Sequence, residues 1–270
     1  MIADMHTHSF FSHDSRCSIE DMCRAQIEKG TRIFAVTDHF DMYKAEKEDV
    51  SSPILAACKE VEKINEKFGE QCLVLAGAEL GEAGRFPKNA ETAHTIYPFD
   101  VIIGSVHWVE FGGEMNAYSR VDFSAFSENK IYDYLKIYFY DLLIMLKTAD
   151  IDIAAHLTCP IRYIKGRFGI DIDISRFDEI ITEILQTVID RKIALEINTS
   201  SYPMYGDFLP SVDIIKQYHA MGGRLITLAS DAHTSENASF AFPEAIKALR
   251  EIGFDNAYYF VKRKPFVIKL

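Results

Sequence analysis

Short apolar runs alternate with longer amphipathic stretches along the chain. Seven of the short runs read as buried parallel strands, whose two covered faces make the hydrophobic pattern nearly continuous. They are Ile2–Met5, Arg32–Thr37, Leu73–Ala78, Val101–Val106, Ile151–Ala155, Ile193–Ile197 and Leu225–Leu228. Helical spacing of the apolar positions predicts helices over Ser18–Lys29, Pro53–Phe68, Glu128–Lys147, Ser175–Asp190, Ser211–Met221 and Ala238–Ile252. Ser18 with Asp21 three residues on is close to a capping box, and Gly69 stops the second helix. A further strand-like run, Ala257–Val261, follows the last helix. Repeated β-then-α units imply a parallel sheet with right-handed crossovers. So many units in 270 residues fit an α/β barrel better than an open sheet. No linker rich in Gly, Ser and Pro and no charge run divides the chain, so residues 1–270 are expected to form one domain. Gly81–Pro98 and Glu110–Ser127 lack periodicity and are predicted to be loops over the barrel mouth.

Composition narrows the class. Hydrophobic residues make up 48% and charged residues 26%, which excludes a disordered chain, a collagen and a disulfide scaffold. The net charge of −11 argues against binding nucleic acid by general electrostatics. No run of 18 apolar residues is present, and the start lacks the basic and apolar regions of a signal peptide. Five cysteines, an odd number without a C-x-x-C pair, read as reduced thiols. These features predict a soluble cytoplasmic protein with no membrane partner, and leave the oligomeric state open.

The chemistry concentrates at the strand ends. His6 and His8 follow the first strand and His39 the second; Glu79 ends the third, His107 the fourth and His156 the fifth; Asp231 and His233 follow the seventh. Only the sixth strand departs from this, ending in Asn198. In a parallel barrel these ends share one face, the face that carries active sites. A single strand-end histidine is ordinarily structural, and Asp38 or Asp231 could be helix caps. Six strands delivering His, Glu or Asp to one rim instead predict a metal cluster. Imidazole with carboxylate, and no thiolate, suits Zn, Fe or Mn rather than a structural zinc site. Residues two apart on a strand share a side, so His6 and His8 can reach one ion. Together with His13, the nine candidate ligands exceed one ion's needs and fit two or three divalent ions, with a carboxylate such as Glu79 bridging a pair.

The ordered set His6-x-His8, His13, Thr37-Asp38-His39, Glu79, Ser105-Val106-His107, Ala155-His156 and Ser230-Asp231-Ala232-His233 resembles the polymerase and histidinol phosphatase (PHP) family. The resemblance runs from His6 to His233 and implies a distorted (β/α)7 barrel, TIM-barrel-like, with its metal site at the C-terminal rim of the strands. It implies one ion on His6, His8, Glu79 and Asp231, a second on Glu79, His107 and His156, and a third on His13, His39 and His233. Asp14 is an alternative to His13. Gly77–Gly81, Gly104–Trp108, His156-Leu157 and Leu195–Ser200 resemble the stand-alone histidinol phosphatases of the family. That implies a metal-dependent phosphomonoesterase acting on L-histidinol phosphate by attack of a metal-bridging hydroxide on phosphorus. Arg162 would grip the phosphate, and Asp231 and His233 are the candidates for protonating the leaving alcohol. An alternative on the same scaffold is a phosphoesterase acting on another monoester, a nucleotide or an oligonucleotide. The complete ligand set argues against a non-enzymatic scaffold.

One departure stands out. Relatives carry an arginine shortly after the Asn-Thr-Ser segment; here Ser201–Gly206 contains no basic residue. Arg85, Lys88, Arg120, Lys165 and Arg167 are loop candidates to supply a cation. Glu82, Glu110 and Glu114 fall in the predicted rim loops and are read as solvated. Tyr132, Tyr134, Tyr138 and Tyr140 share one helix and read as a core or dimer face; His94 and His219 read as ordinary.

Overall fold

A computed structural model describes residues 2–270. Seven strands form the barrel wall: β1 (Ile2–Thr7), β2 (Thr31–Val36), β3 (Leu73–Gly81), β4 (Val101–Ser105), β5 (Ile153–Ala154), β6 (Ala194–Asn198) and β7 (Ile226–Ala229). They pair in sequence order and in parallel, in a sheet nearly closed into a barrel. The outer layer contains α1 (Ile19–Glu28), α2 (Ser51–Phe68), α3 (Glu128–Thr148), α4 (Cys159–Phe168), α5 (Asp178–Asp190), α6 (Val212–Ala220) and α7 (Phe242–Ile252). Among the described residues no helix is long and apolar enough to cross a membrane.

The seam between β1 and β7 is closed by side chains more than by a ladder. A bridge joins Thr7 to Ala232 at the rim, with Asp231 N donating to the His6 carbonyl at 2.9 Å and His8 N to the Ala232 carbonyl at 2.8 Å. Below it the buried Asp4 carboxylate accepts from Ser230 N at 2.9 Å, Gln26 Nε2 at 2.7 Å and Ser239 N at 3.2 Å. Burial raises the Asp4 carboxyl above its usual range, against the pull of these donors.

Four regions differ from the sequence reading. The run at Ala257–Val261 is not a barrel strand: Asn256–Val261 pairs antiparallel with Lys264–Lys269. This hairpin sets Phe260 and Ile268 into the apolar cluster of Ala3, Met5, Ile33, Leu75, Val101 and Ile103. Its tip, Lys262 and Arg263, has φ of 50° and 61°. That suits the right-handed twist of a tight hairpin, and the loops beneath the barrel hold it. Lys262 N and Arg263 N donate to Asp100, at 3.0 and 2.8 Å, and the Arg263 guanidinium donates to Asp150 and Asp152. The segment Gly81–Pro98 is not all loop: β3 runs through Gly81, and Pro87–Ala93 is a helix with its proline in the first turn. Glu110–Ser127 contains the second half of a hairpin, Trp108–Phe111 with Glu114–Ala117, followed by two 3-10 turns. Finally, α4 has no counterpart among the expected helices; it starts Cys159-Pro160 and ends at left-handed Gly169.

The wall is distorted beside the second strand. β2 stops before Thr37, and the short strand His39–Asp41 then pairs with the upper half of β3, placing His39 beside Glu79. The break is held by Asp38, whose carboxylate accepts from Ser9 N at 2.7 Å, Ser9 Oγ at 2.6 Å and Ser12 Oγ at 2.7 Å.

Candidate metal centre and active site

The strand ends deliver their polar side chains to one point at the rim. His6 Nε2 and His8 Nε2 face each other at 3.0 Å. His6 Nε2 lies 3.4 Å from Glu79 Oε2 and 3.6 Å from Asp231 Oδ1. His8 Nε2 lies 3.6 and 3.3 Å from the same two oxygens. A tetrahedral ion with bonds of about 2.0–2.1 Å has ligand–ligand edges of about 3.3 Å. These five edges, between 3.0 and 3.6 Å, fit such an ion. The other Glu79 oxygen, Oε1, lies 3.0 Å from His107 Nε2 and 2.9 Å from His156 Nε2. A third group forms at the mouth, where Asp14 Oδ2 is 3.4 Å from both His39 Nε2 and His233 Nε2.

The donor set also passes a test of satisfaction. Buried polar atoms ordinarily find a hydrogen bond. Glu79 Oε2, His39 Nδ1 and His156 Nδ1 do not, although the first two are 2.8 Å apart. Burial would raise the Glu79 carboxyl, but His107, His6 and His39 hold it well below its usual range. Asp231 is held low in the same way, by His6, His8 and Arg162. Burial lowers His8, and its imidazole neighbours add to that, so its ring stays neutral and available as a ligand.

Each ring is aimed by a second contact, the arrangement that fixes tautomer and orientation in metal sites. His6 Nδ1 meets Glu196 Oε2 at 2.8 Å, His107 Nδ1 meets Asp41 Oδ1 at 2.9 Å, His8 Nδ1 meets Ser12 Oγ at 3.1 Å, and His233 Nδ1 donates to the Asp231 carbonyl at 2.9 Å. Glu196 also accepts from His156 N at 2.9 Å and Asn198 Nδ2 at 2.8 Å. Sequence reasoning gave Glu196 and Asp41 no role. The signal for Glu196 was a lone acid inside the apolar strand Ala194–Asn198. His156 and Asp231 adopt left-handed backbone, φ 23° and 54°, which is uncommon for residues with a side chain and recurs at functional sites.

A cavity of about 280 Å³ opens over these groups. Arg162 lines it and donates to Asp231 Oδ2 at 3.0 Å and to the Tyr163 hydroxyl at 3.0 Å, with Ser200 Oγ as a third partner. His13 joins Asp14 and His39 in a group whose ligand atoms all lie within 4.8 Å of one another, although its side chain is 47% exposed and Lys44 Nζ sits 3.1 Å from its Nε2. Asp14 also stands between His39 and His233. Of the loop cations only Arg120 lines the cavity, its guanidinium 5.8 Å from the Trp108 ring centre. Arg85 is bound to Asp141 and Glu110, Arg167 to the Ser119 carbonyl and Lys165 to Asp171, while Lys88 is exposed. Lys44 is the cation the sequence reading missed.

Glu82 is not solvated. It is buried and accepts from His107 N at 2.6 Å and Trp108 N at 3.0 Å, and burial with nearby Asp41 pushes its carboxyl up to about 7. Glu110 and Glu114 lie on the hairpin, away from the cavity lining. Tyr132, Tyr134 and Tyr138 are core residues, and Tyr140 is exposed. His94 stands beside Arg263 and His219 against Phe254.

The chain matches the PHP domain over residues 4–200. A probable histidinol-phosphatase of Clostridium acetobutylicum is 27% identical over 248 residues, covering 92% of each chain. The histidinol-phosphatase of Lactococcus lactis subsp. lactis is 26% identical over 256 residues, covering 93% of this chain and 91% of the relative. The crystal structure of a histidinol phosphate phosphatase from Lactococcus lactis, complexed with zinc, L-histidinol and phosphate, superposes with a TM-score of 0.77 at 22% identity, covering 98% of each chain. The PHP match takes in the strands that carry His6 through Glu196 and spans well over half of the sequence, so the chain belongs to the PHP domain family.

Proposed function

We propose that this protein is a metal-dependent phosphomonoesterase that hydrolyses L-histidinol phosphate to L-histidinol and phosphate. The observation that carries the reading is Glu79, whose two oxygens face different histidine groups under a cavity that also holds Arg162. Relatives named for this activity match over nine-tenths of the chain. His6, His8, Glu79 and Asp231 would hold one divalent ion, Glu79, His107 and His156 a second, and His39 and His233 with Asp14 or His13 a third. Zn, Fe and Mn all suit such a nitrogen and oxygen set. When bound, such ions make water nucleophilic near neutral pH and offset charge on the phosphoryl oxygens.

The chain's own residues do the rest. Arg162 presents its guanidinium to the phosphate, oriented by Tyr163, Ser200 and Asp231. The candidates for protonating the leaving oxygen are Asp231 and His233, and of these His233 would serve while its Nε2 holds no ion. His233 Nδ1 is tied to the Asp231 carbonyl, which aims Nε2 at the cavity. Trp108, Tyr118 and Tyr163 wall the cavity. The reading treats residues 1–270 as one functional unit. The five buried free thiols suit a reducing compartment, and it places the enzyme in the cytoplasm.

A second reading, another phosphomonoester or a nucleotide as substrate, is favoured by the cavity wall. Its three carboxylates, Asp14, Asp41 and Asp231, all face histidines, leaving no free acid for the histidinol ammonium, while Arg120 and Lys44 add positive charge. The test is elemental analysis of protein purified without chelator, together with phosphate release from L-histidinol phosphate and a panel of other monoesters. Two to three ions per chain and a clear preference for histidinol phosphate are expected. Arg162→Ala should lower kcat/KM by about 10²–10³-fold. Two to three ions with activity only on other esters would replace the substrate, and fewer than two ions with every ester inert would overturn the metal reading.

A further inference from the structure

Three cations line the cavity over the metal ligands, and the protein answers only two of them. Arg162 donates to Asp231 Oδ2 at 3.0 Å, and Lys44 Nζ lies 3.0 Å from Asp41 Oδ2. Arg120 has no hydrogen-bond or ion-pair partner among the described residues. Its guanidinium stands 5.8 Å from the centre of the Trp108 ring, within range of a cation–π contact. The remaining carboxylate of the cavity, Asp14, faces His39 and His233. A chain of net charge −11 has acids to spare, yet none is set against this cation.

The arginine is also held in place. It ends the 3-10 turn Tyr118–Arg120. Tyr118 N donates to the His107 carbonyl at 3.2 Å, Arg167 Nη1 donates to the Ser119 carbonyl at 2.7 Å, and the buried Tyr118 ring lies 5.4 Å from that of Tyr163. The ring under the guanidinium is fixed as well. Trp108 N donates to Glu82 Oε1 at 3.0 Å and Trp108 Nε1 to Asp41 Oδ2 at 3.4 Å. The result is a guanidinium on a braced wall, open to the cavity, whose charge only a ligand can answer. Guanidinium is suited to phosphate oxygens, and a cation at the mouth of an acidic protein draws anions toward it.

We propose that Arg120 is a substrate-binding residue that takes the phosphate of the monoester from the Trp108 wall, while Arg162 holds it from the α4 side. This rests on the reading of the cavity as a phosphomonoester site. Arg120 then serves capture of the substrate and not the chemical step, because it touches none of the metal ligands.

The test compares the native chain with Arg120→Gln, both purified without chelator. Inorganic phosphate is the probe, measured by titration calorimetry, since it carries no leaving group and needs no turnover. Arg120→Gln should bind it about 10-fold more weakly, the loss of one charge-assisted hydrogen bond. With a phosphomonoester, KM should rise by a similar factor and kcat should hold, the mark of binding lost equally from ground and transition states. The salt dependence of kcat/KM should flatten, which a packing role would not cause. Metal content and the emission of Trp108, the one tryptophan in the chain, check that the centre and the wall are intact. Phosphate affinity and KM unchanged in Arg120→Gln would overturn the proposal, as would a fall in kcat at constant KM. If the native chain turns over no ester, the phosphomonoesterase reading fails instead, and the phosphate affinities of the two chains still decide the role of Arg120.

Discussion

The two ends of the barrel solve opposite problems with the same seven strands. At the bottom, Phe260 and Ile268 of the C-terminal hairpin fill the interior, and Arg263 pairs with Asp150 and Asp152. At the top, imidazoles and carboxylates crowd within 2.8 to 3.6 Å of one another, and Glu79, His39 and His156 each leave a buried atom without a hydrogen bond. Left-handed residues occur at both ends. At the bottom they include Lys262 and Arg263 in a hairpin tip; at the top they include the buried Glu82, His156 and Asp231. Charge at the bottom is neutralised within the protein and serves stability. Charge at the top is only partly answered by the protein, which is what a site built around cations requires.

The comparison can be broken most directly at its centre. Glu79→Ala removes the carboxylate common to both inner groups. It should cost at least two ions per chain by elemental analysis and lower kcat by about 10³-fold or more. The folded chain should survive, because the histidines that faced the carboxylate can shed their protons once it is gone. Phe260→Ala is the mirror experiment. It should lower unfolding free energy by about 3–5 kcal/mol in denaturant titrations while leaving metal content and KM unchanged. A Phe260→Ala variant that lost metal as Glu79→Ala does would show that the two ends are not separable. Glu196→Gln sharpens the contrast within the top. It keeps shape but weakens the acceptor on His6 Nδ1, and should reduce metal affinity or activity by about 10–100-fold. An effect confined to Tm would return Glu196 to a packing role.

The smallest expected effect is a proton count. Burial alone would lower His39 and His156, but Glu79 and Asp14 bring the first up to about 10, and Cys159 and Glu79 bring the second up to about 9. In metal-free protein at pH 8 both rings therefore carry a proton that a metal must displace. Zinc titrations in buffers of different ionisation enthalpy should show protons released on binding. The same shifts have a stability consequence. A histidine raised from 6.5 to about 10 contributes stability that is complete below 6.5 and lost as pH rises through about 10. The metal-free Tm should fall across that window and the loaded Tm should not. Zinc uptake without proton release would contradict this.

Much of the top was legible in the sequence because strand ends are. His6, His8, Glu79, His107 and His156 could be placed on one rim from hydrophobic runs alone, since the alternation of buried runs and helices dictates a common face. What escaped lies on segments that turn back. Arg162 was named through the family resemblance, but the helix α4 that carries it escaped, because its Cys159-Pro160 start and internal Gly166 hide the helical period. Asp14 and His13 are adjacent in a loop, and no spacing announces that Asp14 reaches both His39 and His233. Asp41 and Glu82 work through a few hydrogen bonds to His107 and Trp108 just past β4, which no spacing announces. The bottom was less legible. Ala257–Val261 has the composition of a barrel strand, and the tip residues Lys262-Arg263 give no glycine signal for the tight hairpin that removes it from the wall.

The seam has a consequence for how the molecule comes into being. Asp4 and the Ser230 it clasps are 226 residues apart in the chain. The same closure that joins them brings His6 and His8 to Asp231. A ribosome therefore releases nearly the whole chain before the His6–His8–Glu79–Asp231 group can exist, and every earlier length leaves that group without its aspartate. Contacts of such long sequence separation form late and slowly. Capture of metal at this group then reports completion of the barrel, and a fragment cut short of residue 231 would be expected to fold its early strands and acquire no ion there.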